Sequence, residues 1–303
     1  MVTKQIRSIL VRRSFCLAVA MAMIGLNAIT APADAANLYW GDNANDAVYR
    51  ADLDGQNAVQ LAASQPVPLL LAANDTQLYW LDAGNDELNR VPVAGGTITN
   101  LTTGVASSRG LALSDTHVYW SNHGGDKIEA LALDGSDGGT PQVFYESATD
   151  IGPHGLAVHG DKLYWADNAT ATIECINLDG TGRQTLVQGQ GLENPYGLAV
   201  TMDAIYWADA GTDKIQAADL DGANVRDVVT DLNGSVFDLA TDGRSLYWAD
   251  DSIYRLDLEA AGDPELIVEG DFYGLAAFPP IPEPATLALL VPAALAAGRR
   301  RRR

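Results

Sequence analysis

Between residues 36 and 281, apolar positions recur with the period of two that belongs to strands. The segments are short and are closed by turn residues such as Asn74-Asp75, Gly160-Asp161 and Asp242-Gly243. One unit is written six times. Its mark is a tetrad: Tyr39-Trp40-Gly41-Asp42, Tyr79-Trp80-Leu81-Asp82, Tyr119-Trp120-Ser121-Asn122, Tyr164-Trp165-Ala166-Asp167, Tyr206-Trp207-Ala208-Asp209 and Tyr247-Trp248-Ala249-Asp250. The tyrosines step by 40, 40, 45, 42 and 41 residues, and all 6 tryptophans of the chain lie in these tetrads. Eight positions before each tyrosine from the second onward stands a leucine followed by alanine, at Leu71, Leu111, Leu156, Leu198 and Leu239. Most tetrads are followed by an alternating segment ending in Leu-Asp-Gly, at Leu53, Leu133, Leu178 and Leu220.

Four strand-period segments in a repeat of roughly 40 residues predict one propeller blade per repeat. Six blades need about 240 residues, and residues 36–281 supply 246. The first unit opens directly on its Tyr-Trp strand, whereas Gly274-Leu275-Ala276 ends the series with no tetrad behind it. The expected architecture is therefore all-β: a closed six-bladed β-propeller with four antiparallel strands per blade. The C-terminal inner strand joins the first blade, which removes the exposed sheet edges that invite aggregation.

The repeat resembles the YWTD repeat of the low-density-lipoprotein-receptor family, whose blades carry Tyr-Trp-Thr-Asp. That resemblance implies the same six-bladed fold and a structural role for the tetrads. None of the six third positions here is Thr, one tetrad ends in Asn122, and no cysteine-rich modules flank the repeats.

The two ends read as addresses. Residues 1–35 combine a basic start, an apolar run over residues 15–26 and Ala33-Asp34-Ala35, the layout of a secretory signal peptide. Its removal leaves Cys175 as the only cysteine, so no internal disulfide is expected. Residues 282–303 hold Pro282-Glu283-Pro284, an apolar run over residues 285–298 and arginine from 299 to 303. This tail resembles the PEP-CTERM sorting signal of Gram-negative bacteria. The resemblance implies an exosortase-type processing enzyme as partner, transient membrane insertion through the tail, and delivery to the cell surface or extracellular matrix.

Charge narrows the partners. The chain has 39 Asp+Glu against 19 Lys+Arg, and its middle is more acidic still: residues 36–281 carry 37 acids and 10 bases, a net −27. Such a surface repels phosphate backbones, so nucleic acid is not an expected partner. Extracellular protein and polysaccharide are.

Candidate chemistry is sparse. There is no Gly-x-Ser-x-Gly elbow, no His-Glu-x-x-His and no phosphate-cradling glycine loop. His117, His123, His154 and His159 are expected to be scattered surface or turn residues. Four turns place a second acid four residues after the tetrad's last residue, as Asp42/Asp46, Asp82/Asp86, Asn122/Asp126 and Asp209/Asp213. Such oxygens suit Ca²⁺, but no turn supplies the six or so ligands of a self-contained calcium loop. The segments predicted to line the channel hold one acid, Asp238, whereas the gluconolactonase-like and paraoxonase-like propellers gather several carboxylates there. The expectation is thus no catalytic residue, no metal site and no cofactor, with a calcium-dependent, lactonase-like hydrolase as the alternative. What remains is a binding surface at the channel mouth. Loops leading into the inner strands bring Arg109, His154, Tyr196, Phe237 and Tyr273 there, and a loop after a second strand brings His123. These rings have two roles open to them: recognition at the rim, or burial against the blade tops.

Overall fold

The structure is a computed structural model that describes residues 37–278, apart from 106, 148–150, 233, 251, 261 and 271. The signal-peptide and sorting-tail assignments lie outside these residues. The chain runs through β1 (Asn37–Asp42), β2 (Ala47–Asp52) and β3 (Val59–Ala63) of blade one. Blade two follows with β4 (Pro68–Ala73), β5 (Gln77–Asp82), β6 (Glu87–Pro92) and β7 (Thr99–Thr103). Blade three is β8 (Ser108–Leu113), β9 (His117–Asn122), β10 (Lys127–Ala132) and β11 (Gln142–Glu146). Blade four is β12 (Pro153–His159), β13 (Lys162–Asp167), β14 (Thr172–Asn177) and β15 (Gln184–Gln188). Blade five is β16 (Pro195–Val200), β17 (Ala204–Asp209), β18 (Lys214–Asp219) and β19 (Arg226–Val229). Blade six is β20 (Leu239–Thr241), β21 (Ser245–Asp250), β22 (Ser252–Asp257) and β23 (Glu265–Val268), and β24 (Phe272–Phe278) ends the series. Each blade is a four-stranded antiparallel sheet, and blade one is completed as β24-β1-β2-β3, the closure expected from the sequence.

One register repeats in every blade. The leucine of Leu-Ala lies opposite the tetrad tryptophan: Leu71↔Trp80, Leu111↔Trp120, Leu156↔Trp165, Leu198↔Trp207, Leu239↔Trp248 and, across the closure, Leu275↔Trp40. Adjacent residues of a strand face opposite sides, so tetrad tyrosine and tryptophan serve different neighbours. Tyr164 joins Trp207 of the next blade in one core cluster, Tyr79 joins Trp120, and Tyr247 joins Trp40. The six core clusters are the six blade interfaces, each built from the tyrosine of one blade and the tryptophan of the next.

The tetrad acids cap the turn that follows. Asp82 Oδ1 accepts the Gly84 and Asn85 amides at 3.0 and 3.3 Å, and Asp209 Oδ1 accepts those of Gly211 and Asn194 at 3.0 and 2.9 Å. The second acids hold the left-handed position that closes each hairpin, with φ of 50° at Asp46, 56° at Asp86, 53° at Asp126 and 54° at Asp213. Asp tolerates that conformation better than most residues, because its short side chain bonds locally. The four-residue spacing of the acids is thereby accounted for by turn geometry.

Candidate functional site at the channel mouth

Each tetrad ends on the face where the inner strands begin, as the pairs Pro68↔Asp82, Ser108↔Asn122, Pro153↔Asp167 and Pro195↔Asp209 show. The rim candidates therefore share one face. Arg109 projects from β8, His154 from β12 and Tyr196 from β16, with Phe237 just ahead of β20. His123 opens the single-turn 3-10 helix His123–Gly125 behind β9. The side chain of Tyr273 lies outside the described residues.

Four of these side chains form a continuous ladder of rings across blades three to six. His123 meets His154 edge-on at 4.8 Å between centroids, His154 meets Tyr196 at 4.5 Å, and Tyr196 meets Phe237 at 5.4 Å. Edge-to-face packing sets the positive edge of one ring against the negative face of the next. The ladder corrects the expectation of scattered surface histidines, because His154 is only 6% exposed and stacks on His123. Exposure rises along the ladder from His154 to Phe237. His154 is packed down against the blade tops, Tyr196 is half-buried with its hydroxyl accepting from Asn194 Nδ2 at 3.2 Å, and Phe237 stays 37% exposed. Burial, together with the charges of His123 and Arg109 beside it, holds the His154 imidazole down at about 3. It is therefore neutral at physiological pH.

Beside the ladder lies a cavity of about 350 Å³ over the channel mouth. Phe237 and His154 border it on the ladder side, and Leu69 and Leu70 of β4 form an apolar wall extended by Val67. Arg109, Ser108 and Asn43 supply the remaining lining. Sequence reasoning missed the Leu69 and Leu70 wall. Its signal was present, since blade two carries Leu69-Leu70 where blades three, four and five carry Arg109-Gly110, His154-Gly155 and Tyr196-Gly197. Leu70 adopts a left-handed φ of 49°, a strained conformation for a residue with a branched side chain.

Below the mouth the channel narrows to a space of about 200 Å³ lined by the Leu-Ala pairs and Asp238. Asp238 Oδ2 accepts the Leu275 amide of the closing strand at 3.1 Å, and burial pushes its carboxyl up to about 8.

The family described as Low-density lipoprotein receptor repeat class B matches residues 161–200 and 203–251, the latter reaching through the last tetrad. Among solved structures, a chain of a nidogen/laminin complex superimposes with a TM-score of 0.68 at 23% identity, covering 80% of this chain and 98% of that one. The protein is a six-bladed β-propeller, with residues of its fourth to sixth blades matching that repeat family. The same fold relates this propeller to virginiamycin B lyase from Staphylococcus aureus, at a TM-score of 0.57, 14% identity and coverage of 78% and 86%. A streptogramin B lyase aligns at a TM-score of 0.60 and 13% identity, with coverage of 79% and 83%. No curated protein sequence matches the chain.

Proposed function

We propose that this YWTD propeller is an exported, non-catalytic binding module of the bacterial cell surface or extracellular matrix. In this reading it engages an extracellular protein or polysaccharide on the channel-mouth face and takes no cofactor. The observation that carries the reading is the ring ladder bordering the 350 Å³ cavity. A rigid aromatic ridge beside a concavity is the composition of a recognition patch. Assembly of the nidogen propeller with laminin supports a protein partner. The buried neutral state of His154 also favours binding over turnover, since an imidazole held at about 3 is a weak base at neutral pH. Export rests on the N-terminal signal layout and on the PEP-CTERM-like tail, which assigns an exosortase-type enzyme as processing partner.

The test is retention of the protein by immobilised exopolysaccharide and by immobilised outer-surface proteins of the native producer. A Tyr196→Ala/Phe237→Ala double variant serves as the control. Retention on either matrix that falls at least tenfold in the double variant supports the reading. Hydrolysis or elimination of a lactone or phosphoester, abolished by a single rim substitution, would replace it with an enzymatic one.

A further inference from the structure

We propose that the cavity over the channel mouth is a site for a carboxylate carried on an apolar body, and that its occupant is the apolar C-terminal residue of a protein or peptide. The proposal rests on the reading of this face as a binding surface and names the chemistry bound there. Arg109 is the first observation. Among the described residues Lys127, Arg183, Lys214, Arg226, Arg244 and Arg255 each have a carboxylate within 3.6 Å. Arg109 has none. Its Nη1 donates to the Ser108 carbonyl at 3.1 Å, which leaves four guanidinium donors without a protein acceptor among the described residues. In a domain of net charge −27 this guanidinium is the positive charge on the cavity wall, and a planar carboxylate is the group that fits its fork.

The walls select the body of the ligand. Val67, Leu69, Leu70 and Phe237 give apolar contact and no hydrogen bonds from their side chains. A uronic acid would bury ring hydroxyls against this wall unpaired, at a cost of about 1–3 kcal/mol for each one stranded. An aliphatic side chain would not. Asn43 sets the third requirement: its side-chain oxygen is buried and lacks a donor among the described residues. A ligand bringing an N–H, as a peptide does, satisfies it. The volume then favours an end over a middle. About 350 Å³ is at the small limit of ligand cavities and admits one terminus of a chain, not a polymer laid across the ring. Independently of these contacts, Leu70 holds its wall position in a left-handed backbone, and strain of this kind gathers where a surface is built for a ligand.

The experiment is calorimetric titration of the whole protein with N-acetyl-leucyl-leucine, its C-terminal amide, hexanoate and a glucuronic-acid disaccharide. The acid peptide is expected to bind, and the amide at least tenfold more weakly. Arg109→Gln should weaken the acid peptide at least tenfold while leaving the amide unchanged. Arg109→Lys should fall between, since it keeps the charge and loses the fork. Arg109 is exposed, so an unchanged melting curve for both variants is expected. Equal binding of acid and amide, or indifference to Arg109→Gln, overturns the proposal. Tighter Arg109-dependent binding of hexanoate or of the uronate overturns the peptide assignment. Absence of any binding by the acid peptide also overturns the proposal, while retention on native matrices that depends on Tyr196 and Phe237 would leave the wider binding reading standing.

Discussion

At the inner-strand level where Gly110, Gly155, Gly197 and Gly274 carry no side chain, Asp238 carries a carboxyl group. Burial pushes that carboxyl up to about 8, and the amides of Leu275 and Leu239 offset part of the cost by donating to it. The sign of the pH effect follows. From about pH 4 to pH 8 the folded protein holds a proton that the unfolded chain has released, so stability falls as pH rises through that window. Asp238→Asn keeps an acceptor for Leu275 and cannot ionise. Between pH 5 and pH 9 it should gain on the wild type by on the order of 2 kcal/mol, a figure reduced from the full linkage value because Asp238 is only partly buried. Urea unfolding at pH 5, 7 and 9 measures the difference. Parallel profiles for the two proteins would mean that the wild-type carboxyl is already ionised across the range.

Around Gly155 the neighbouring inner strands approach so closely that the missing side chain is a packing requirement. A Cβ on Gly155 would lie 2.5 Å from both the Leu198 amide nitrogen and the Tyr196 carbonyl oxygen, and these backbone atoms cannot swing away. Gly155→Ala should therefore cost about 1–3 kcal/mol and spread the 4.5 Å contact between His154 and Tyr196. By contrast, Gly243 lies at φ +86° with open space around its Cβ position, so Gly243→Ala should cost about 1 kcal/mol from the backbone alone. Thermal melts of the two variants, with loss of matrix retention in the first only, separate packing from conformation. The same two kinds of cause divide what the sequence made legible. Blade number, strand order and the shared face of Arg109, His154, Tyr196 and Phe237 depend on position within a repeat, and a repeat displays position directly. The His123–His154 contact crosses from blade three to blade four. The cavity joins Asn43 of blade one to Phe237 of blade six, residues far apart in the chain. Such contacts depend on how blades tilt against one another, which no local pattern encodes. The left-handed Leu70 was hidden for a related reason: blade two departs there from its siblings, and only the three-dimensional structure tells a departure that strains the backbone from one that does not.

Closure is the property of the whole ring, and it binds the two ends of the domain together. The interface between blades six and one assembles Leu38 and Trp40 with Tyr247 and Ile253, residues about two hundred positions apart, and β24 adds Phe272 and Leu275 to the same cluster. Phe272 meets Trp40 edge-on at 6.0 Å, and the Leu275 amide reaches Asp238. Contacts of such sequence separation form late and return no stability until the long loop is closed, so the ring should unfold as one unit once its clasp is gone. Deleting residues 272–278 should remove at least about 5 kcal/mol, because it strips two large buried side chains and leaves β1 as an unpaired edge available for aggregation. Equilibrium unfolding and size-exclusion chromatography measure both effects. The cavity extends the consequence to function, since its lining comes from blades one, two, three, four and six and has no meaning in an open array. A deletion protein whose blades stayed folded should still lose Arg109-dependent binding of the acid peptide. If it kept both cooperative unfolding and that binding, the blades would be shown to hold their positions without the clasp, and the closing strand would have to be assigned to solubility alone.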